Sequence, residues 1–589
     1  MNNVKILLAI LLSSWLLPAM SADAPRPNIV LLVADDWGFS DVGSFGSEIS
    51  TPNLDMLAKR GVRFSNFHVT ASCAPTRSVL MTGVDHHRNG VGNMPETIPR
   101  SHLGQPNYQG VLGTHVVSVA TLLRDSGYAT SIAGKWHLGH EDYNTPLARG
   151  FEHSFIQADS GSDNYEKRPY ATLKEHVNFI DQGKETDLPA DFYSSTFYTS
   201  KAIEYIKATR ASGKPFFSYI AYQANHIPVQ APRAFIDKYK GKYKDGWTAL
   251  REQRRAKAIA LGLIPKDAPM LAMAQENWNA LNATDKAYQE RRMEVYAGMA
   301  DAMDFEVGRL IAYLKESGQF DNTVFIFLSD NGAEGSDPFA VKAGKLWIES
   351  EYSIDIDRLG GKGAYSIIGP SWAAAAVSPL NTFKFWAGEG GIRVPFIISG
   401  VPGSQQDTIK ASYSNVADIA PTLLALAGVK PTDGTYRGKP VEPMIGKSLL
   451  PVVTGAAERV HAADTAISYE LSGNLAVYKG EFKLLKNMRP IGDNQWHLFN
   501  NDTDPGEVVD LQKKFPEVFK SMQEDYAAYA KANHVLAMPD DYDPIEQVQI
   551  NALHNYYLPK LYRKIPWILL GLGLLIVAVW RWRRRKAAA

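Results

Sequence analysis

From Asn28 to Ala34 the chain reads Asn-Ile-Val-Leu-Leu-Val-Ala, and after the first residue no position is polar. A strand of that kind must be covered on both faces. Similar runs recur at 215–222, 323–328 and 394–399. Between them lie helical stretches with readable ends: Thr51-Pro52 as cap and first residue with Gly61 as stop, 117–126 before Gly127, and 286–317 before Gly318. The alternation predicts an α/β fold, a large, mostly parallel mixed sheet flanked by helices. After Asp433 the pieces become shorter and more varied, with an alternating stretch at 463–485 and a helix near 513–532. They predict a smaller C-terminal α+β domain.

The ends differ from the body. Lys5, an apolar run over 6–17, Pro18 and small residues up to Ala22 have the order of a secretory signal peptide, assigned to 1–22. The uncharged stretch 565–580 is bracketed by Trp567, Trp580 and Trp582 and runs into Arg583-Arg584-Arg585-Lys586. That is the pattern of a transmembrane helix, assigned to 565–582, with a basic cytoplasmic tail over 583–589. The expected organisation is then a main α/β domain over 26–432, the smaller domain over 433–537 and a Pro-bearing linker over 538–564. Lys+Arg and Asp+Glu number 62 each, which argues against nucleic acid as a partner. The single cysteine, Cys73, excludes an internal disulfide and is either an inert core residue or a reactive one.

Sheets of this type carry their sites at the carboxyl ends of the strands. There the sequence places Asp35-Asp36, Lys135-Trp136-His137, Asn225-His226 and Asp330-Asn331. Asp35, Asp36, Asp330 and Asn331 are hard oxygen donors that suit Ca²⁺ or Mg²⁺ rather than zinc or copper. One Asp pair alone reads as readily as a turn or helix cap, but two clusters at two strand ends favour a metal. Cys73 opens a short helix, with Pro75 near its start and Gly83 as its stop, and a helix start favours an anion. Arg77, one turn on, adds positive charge.

Cys73-Ala-Pro75-Thr76-Arg77 resembles the sulfatase motif Cys-x-Pro-Ser/Thr-Arg, and 127–139 resembles the second motif of that family. The likeness continues through Asp35-Asp36, Asn225-His226-Ile-Pro228, Asp330-Asn331-Gly332, Lys384 with Glu389-Gly390-Gly391-Ile-Arg393, and 496–507. It is greatest to bacterial arylsulfatases of the alkaline phosphatase superfamily, which share Thr76 and the continuation Thr82-Gly83-x-Asp85-His86-His87. The resemblance implies an alkaline-phosphatase-like fold and hydrolysis of aryl or alkyl sulfate esters to alcohol or phenol and sulfate. It implies that a maturation enzyme oxidises Cys73 to formylglycine. Asp35, Asp36, Asp330, Asn331 and residue 73 would hold Ca²⁺, with Mg²⁺ the lesser expectation. Arg77, Lys135 and Lys384 would stabilise charge, His226 with Lys384 would protonate the leaving group, and His137 would help expel sulfate. Glu389 and Arg393 read as a brace, and His86-His87 as positioning residues.

Two other readings share these residues: a phosphate or phosphonate monoester hydrolase, and an inactive, membrane-tethered binding protein. The signal and anchor place the body in a bacterial periplasm, held to the inner membrane. Residues 333–383 and 248–288 are the expected pocket walls.

Overall fold

The computed structural model of the chain describes residues 26–172 and 175–588; the expected signal peptide lies outside them. Among the described residues, ten strands make the main sheet. In chain order they are β1 (Asn28–Ala34), β2 (Gly61–Phe64), β3 (Ala129–Lys135), β4 (His153–Gln157), β5 (Phe179–Asp181), β6 (Lys184–Glu185), β7 (Phe216–Ala221), β8 (Thr323–Ser329), β9 (Phe396–Ser399) and β10 (Thr408–Lys410). In space the order is β10-β2-β9-β8-β1-β7-β3-β4-β5-β6. The block from β8 to β4 is parallel, while β9 runs antiparallel to both its neighbours. Every residue of β1, β3, β7 and β8 is buried, as their apolar runs require.

Helix α1 (Cys73–Thr82) packs with Val119–Asp125 and Ile419–Leu426, whereas α2 (Ser194–Arg210) and α3 (Ala283–Glu316) pack on each other. Helix α3 begins earlier than its apolar pattern suggested because the Asn282 side chain accepts the Asp285 N–H and caps it. The smaller domain is an antiparallel meander, β11 (Ile467–Leu471), β12 (Asn474–Lys479), β13 (Phe482–Lys486) and β14 (His497–Asn500). Helix α4 (Pro516–Ala532) covers it, with Met522 packed among Val477, Leu484 and Leu498.

Buried charges join the domains. Lys483 Nζ lies 2.8 Å from Glu389 Oε1 and 2.6 Å from Glu507 Oε1, and Tyr478 donates to Glu389 at 2.6 Å. His68 and Arg393 approach the other Glu389 oxygen at 3.1 and 3.3 Å. Beside them His87 bridges Asp85 of the main domain (3.2 Å) and Glu470 of the smaller one (2.7 Å). Glu389, Arg393 and His87, expected to position a turn, a loop and the helix after Cys73, thus stand where the two domains meet.

The expected linker is corrected in part. Residues 544–552 form a docked helix, α5 (Pro544–Ala552), in which Asp543 accepts from the Ile545 and Glu546 N–H groups. The proline and acids that resembled a linker are helix-start signals. Asn551 Nδ2 donates to the carbonyls of Glu96 and Ile98, both at 3.0 Å, and buried Tyr542 donates to the Thr97 carbonyl at 2.8 Å. A π-turn, Leu553–Tyr557, leads into α6 (Leu558–Ala587), a helix with no buried residue. With α5 it makes one helical run that is long and apolar enough to cross a membrane.

Candidate active site

The strand register assembles the site. Ala34 pairs with Ser329, so Asp35 and Asp330 leave adjacent strands side by side. Val33 and Gly134 both face Ala221, which brings Lys135 and the turn to His226 to the same edge. Only glycine fits at 134: φ is +119°, and a Cβ would meet Ala221 O at 2.0 Å.

Helix α1 brings Cys73 to this edge as its first residue, and Gly83, at φ 65°, ends it. The Thr76 hydroxyl accepts the Thr70 N–H and donates to the Thr70 carbonyl, both at 3.0 Å, which fixes the turn before Cys73. Cys73 Sγ donates to Asp35 Oδ1 at 3.5 Å, and the residue is buried. Burial pushes its thiol well above the ordinary cysteine range, and Asp330 and Asp35 add to the shift. An unmodified thiol held protonated is a poor nucleophile.

Three cations meet four carboxylates. Arg77 donates from Nε and Nη2 to Asp330 Oδ2 at 2.9 and 2.7 Å, and from Nη1 to the Lys135 carbonyl at 3.0 Å. Lys135 Nζ lies 2.5 Å from Asp35 Oδ2. Lys384 Nζ lies 2.7 Å from Asp36 Oδ1 and 2.9 Å from Glu334 Oε2. Asn331 Nδ2 donates to Asp36 Oδ1 at 2.6 Å. Burial works against the Lys384 ammonium, but Asp36, Cys73, Glu334 and Asp35 together outweigh it and its pKa stands well above the usual lysine value. Asp36 is pushed up to about 8, chiefly by burial.

The donor set fits a divalent cation. Asp36 Oδ2 and Asn331 Oδ1 are buried oxygens with no hydrogen-bond partner among the described residues, and both belong to the sequence-predicted ligands. One ligand atom each of Asp35, Asp36, Cys73 and Asp330 lies within 4.8 Å of the others. With four carboxylates against three cations the cluster is one positive charge short.

Both candidate histidines stand at this edge. A ring nitrogen of His226 lies within 4.8 Å of ligand atoms of Cys73 and Asp35, and its Nδ1 faces the Ile227 carbonyl at 2.7 Å. Burial, then Lys135 and Lys384, hold its pKa well below the histidine norm. His137 Nε2 faces Glu96 Oε2 at 3.2 Å, and burial is the main cause of its lowered pKa. All the sequence-predicted residues, Asp35, Asp36, Cys73, Arg77, Lys135, His137, His226, Asp330, Asn331 and Lys384, are therefore buried around one centre.

A cavity of about 470 Å³ opens over Cys73, lined by Glu96, Tyr170, His226, Glu334 and Lys384 and, further out, by Trp347 and Tyr365. Glu96, Glu334 and Tyr170 were missed from sequence. Glu334 carried a signal, an acid four residues beyond Asp330 on the same strand exit; Glu96 and Tyr170 carried none. One expected wall is corrected. Segment 333–383 contributes, but 248–288 does not line the cavity. Trp247 and Trp278 pack edge-on against each other and Trp372, with centroids 4.9 to 5.8 Å apart. The far wall is instead α5 and the π-turn, through Ile545, Val548, Gln549 and Leu553.

A mostly parallel mixed sheet carrying carboxylates, lysines and histidines on its carboxyl edge is the arrangement of alkaline-phosphatase-like hydrolases. A sulfatase profile matches residues 27–429, and the chain belongs to the sulfatase family of sulfuric ester hydrolases. It is 36% identical over 535 residues to an uncharacterized sulfatase of Schizosaccharomyces pombe, covering 88% of this chain and 96% of that one. It is 37% identical over 436 residues to an arylsulfatase of Klebsiella aerogenes, covering 73% and 93%. Among solved structures, Ps i-CgsB superposes with a TM-score of 0.63 at 25% identity, over 90% of this chain and 98% of that one.

Proposed function

We propose that the protein is an arylsulfatase-type enzyme that cleaves aryl or alkyl sulfate esters with residue 73 as formylglycine and Ca²⁺ held by Asp35, Asp36, Asp330 and Asn331. The observation that carries this is the missing positive charge beside Cys73, together with two unpartnered buried oxygens on Asp36 and Asn331. A divalent cation and a monoanionic sulfate ester together would bring the cluster to neutrality. When bound, the ion supplies Lewis-acid polarisation of a sulfate oxygen. Matured residue 73 supplies a hydrated aldehyde whose hydroxyl is the nucleophile.

The remaining work falls to ordinary side chains. Arg77 and Lys135 hold Asp330 and Asp35 in place and keep positive charge under the sulfuryl group. Lys384, lining the cavity, offers its ammonium to the sulfate and the departing oxygen. The Ile227 carbonyl fixes a proton on His226 Nδ1; an anionic ester alongside favours a second on Nε2, which is the one to give to the leaving group. Glu96 fixes the His137 proton on Nε2, leaving Nδ1, which has no partner among the described residues, as the acceptor that assists sulfate expulsion. Export by 1–22, anchoring through α6 to a bacterial inner membrane and a periplasmic body complete the reading.

Matched 4-nitrophenyl sulfate and 4-nitrophenyl phosphate test it. The expected result is the higher kcat/KM on the sulfate, and a residue-73 peptide with the mass of formylglycine. A higher value on the phosphate, or full activity with an intact thiol, would overturn it.

A further inference from the structure

The far wall of the cavity and the proposed membrane anchor are parts of one helical run. Ile545, Val548 and Leu553 line the cavity, Tyr557 closes its rim, and the chain continues without a break into α6. Trp567, the first of the tryptophans that bracket the span, lies ten positions beyond Tyr557, which as a helix is about 15 Å. That is about two to three times the headgroup layer on one side of a bilayer, within reach of an extended alkyl chain.

The run is fixed to the body rather than hung from it. Asn551 is bonded to the carbonyls of Glu96 and Ile98, and Lys560 Nζ lies 3.2 Å from Glu175, just after the Tyr170–Thr172 stretch that lines the other side of the cavity. The mouth therefore keeps a set distance from the span. Its rim is apolar and exposed: Ile550, Leu553 and Tyr557 are 36, 48 and 41% exposed, and Leu561, a turn further on, is 49% exposed. Steps of three and four residues put these on one stripe that runs from the cavity to the span. The lining combines polar groups, Cys73, Lys384, Glu334 and His226, with apolar ones, Met94, Trp347, Ile348 and Val548.

We propose that the substrate is an amphiphilic sulfate ester drawn from the membrane surface. Its sulfate is taken to residue 73, and its apolar body lies along α5 and the π-turn with its far end still in the bilayer. This rests on the sulfatase reading and on α6 as an anchor, and adds to them the kind of leaving group and the side from which it comes.

The test uses the full chain in phosphatidylcholine vesicles. The substrates are 4-nitrophenyl sulfate, a soluble series from propyl to octyl sulfate, and tetradecyl sulfate dosed into the same vesicles. Along the soluble series kcat/KM should rise up to about fourfold for each methylene the cavity buries, the factor given by about 0.8 kcal/mol per CH₂. A flexible Gly-Ser insertion between Lys564 and Ile565 keeps the anchor but lifts the mouth from the surface. It should lower the rate on tetradecyl sulfate about tenfold and leave propyl sulfate unchanged. A flat chain-length series, or an insertion that slows both esters equally or neither, overturns the inference and leaves the sulfatase reading standing. Failure to cleave any ester, 4-nitrophenyl sulfate included, overturns the proposed function itself.

Discussion

Two of the buried charge clusters differ in whether they close on themselves. At the seam between the domains, Glu389 and Glu507 meet Lys483 and Arg393, two against two, while burial lowers the pKa of His68 beside them. At the sheet edge, Asp35, Asp36, Asp330 and Glu334 meet Arg77, Lys135 and Lys384, four against three, beneath a cavity. The balanced cluster reads as a brace; the unbalanced one, on the proposed reading, takes a cation. Buried ion pairs add little net stability in themselves, yet both kinds cost dearly when one partner is removed.

The sharpest way to break the contrast is Cys73→Ala. It should lower kcat/KM at least about 10⁴-fold with Tm nearly unchanged, because the side chain makes one weak hydrogen bond and carries the chemistry. Steady-state kinetics beside a thermal melt decide it, and retained activity would remove residue 73 as the nucleophile.

Lys483→Met should do the reverse. It strands Glu389 and Glu507, so denaturant unfolding should lose about 3–5 kcal/mol while kcat/KM per folded molecule stays the same. A variant as stable as wild type would show that the seam is not a brace.

The His87 bridge at the same seam gives a pH signature. Burial alone would lower its pKa, but the hydrogen bonds that His87 donates to Asp85 and Glu470, with their charges, outweigh burial and raise it to about 9. A folded value above the unfolded one means that the stabilisation is complete below about pH 6.5 and is lost as pH climbs through 9, up to about 3 kcal/mol. Unfolding followed across that window should show the decline in wild type and a flatter curve in His87→Gln.

The smallest effect on stability belongs to the proposed cation. Calcium at a hundredfold excess over its Kd should add about 2.7 kcal/mol of stability. Chelation should remove that and the activity together, and Asp36→Asn should abolish the calcium response while Lys483→Met retains it. An Asp36→Asn enzyme stabilised by calcium as well as wild type would place the ion elsewhere.

Much of this was legible before any coordinates, and the reason is local. β1, β3, β7 and β8 are short runs buried on both faces, and the chemistry sits on the residues that follow them; composition marks the run and order marks the exit. Cys73 was legible because Pro75 and Gly83 delimit its helix. What sequence hid depends on distant meetings. Glu96 matters only because its loop reaches His137, and Tyr170 because it meets the His226 ring edge-on at 4.9 Å. The Pro-bearing stretch before the apolar helix looked like a spacer because its own helix is fixed by one side chain, Asn551, to carbonyls more than 450 residues away. Segment 248–288 was expected to wall the pocket, but its Trp278 packs on Trp247 and Trp372, since aromatic residues report burial without saying against what.

The burial of Cys73, which is 1% exposed, also sets a clock. An enzyme that oxidises this residue can reach it only before the fold closes over it. That closure needs Asp330, which meets Arg77 across 253 residues of chain. At about 5–20 residues per second, synthesis alone keeps α1 without its final partner for roughly 13–50 seconds. On the proposed reading, the late position of β8 in the chain leaves time for the nucleophile to be made.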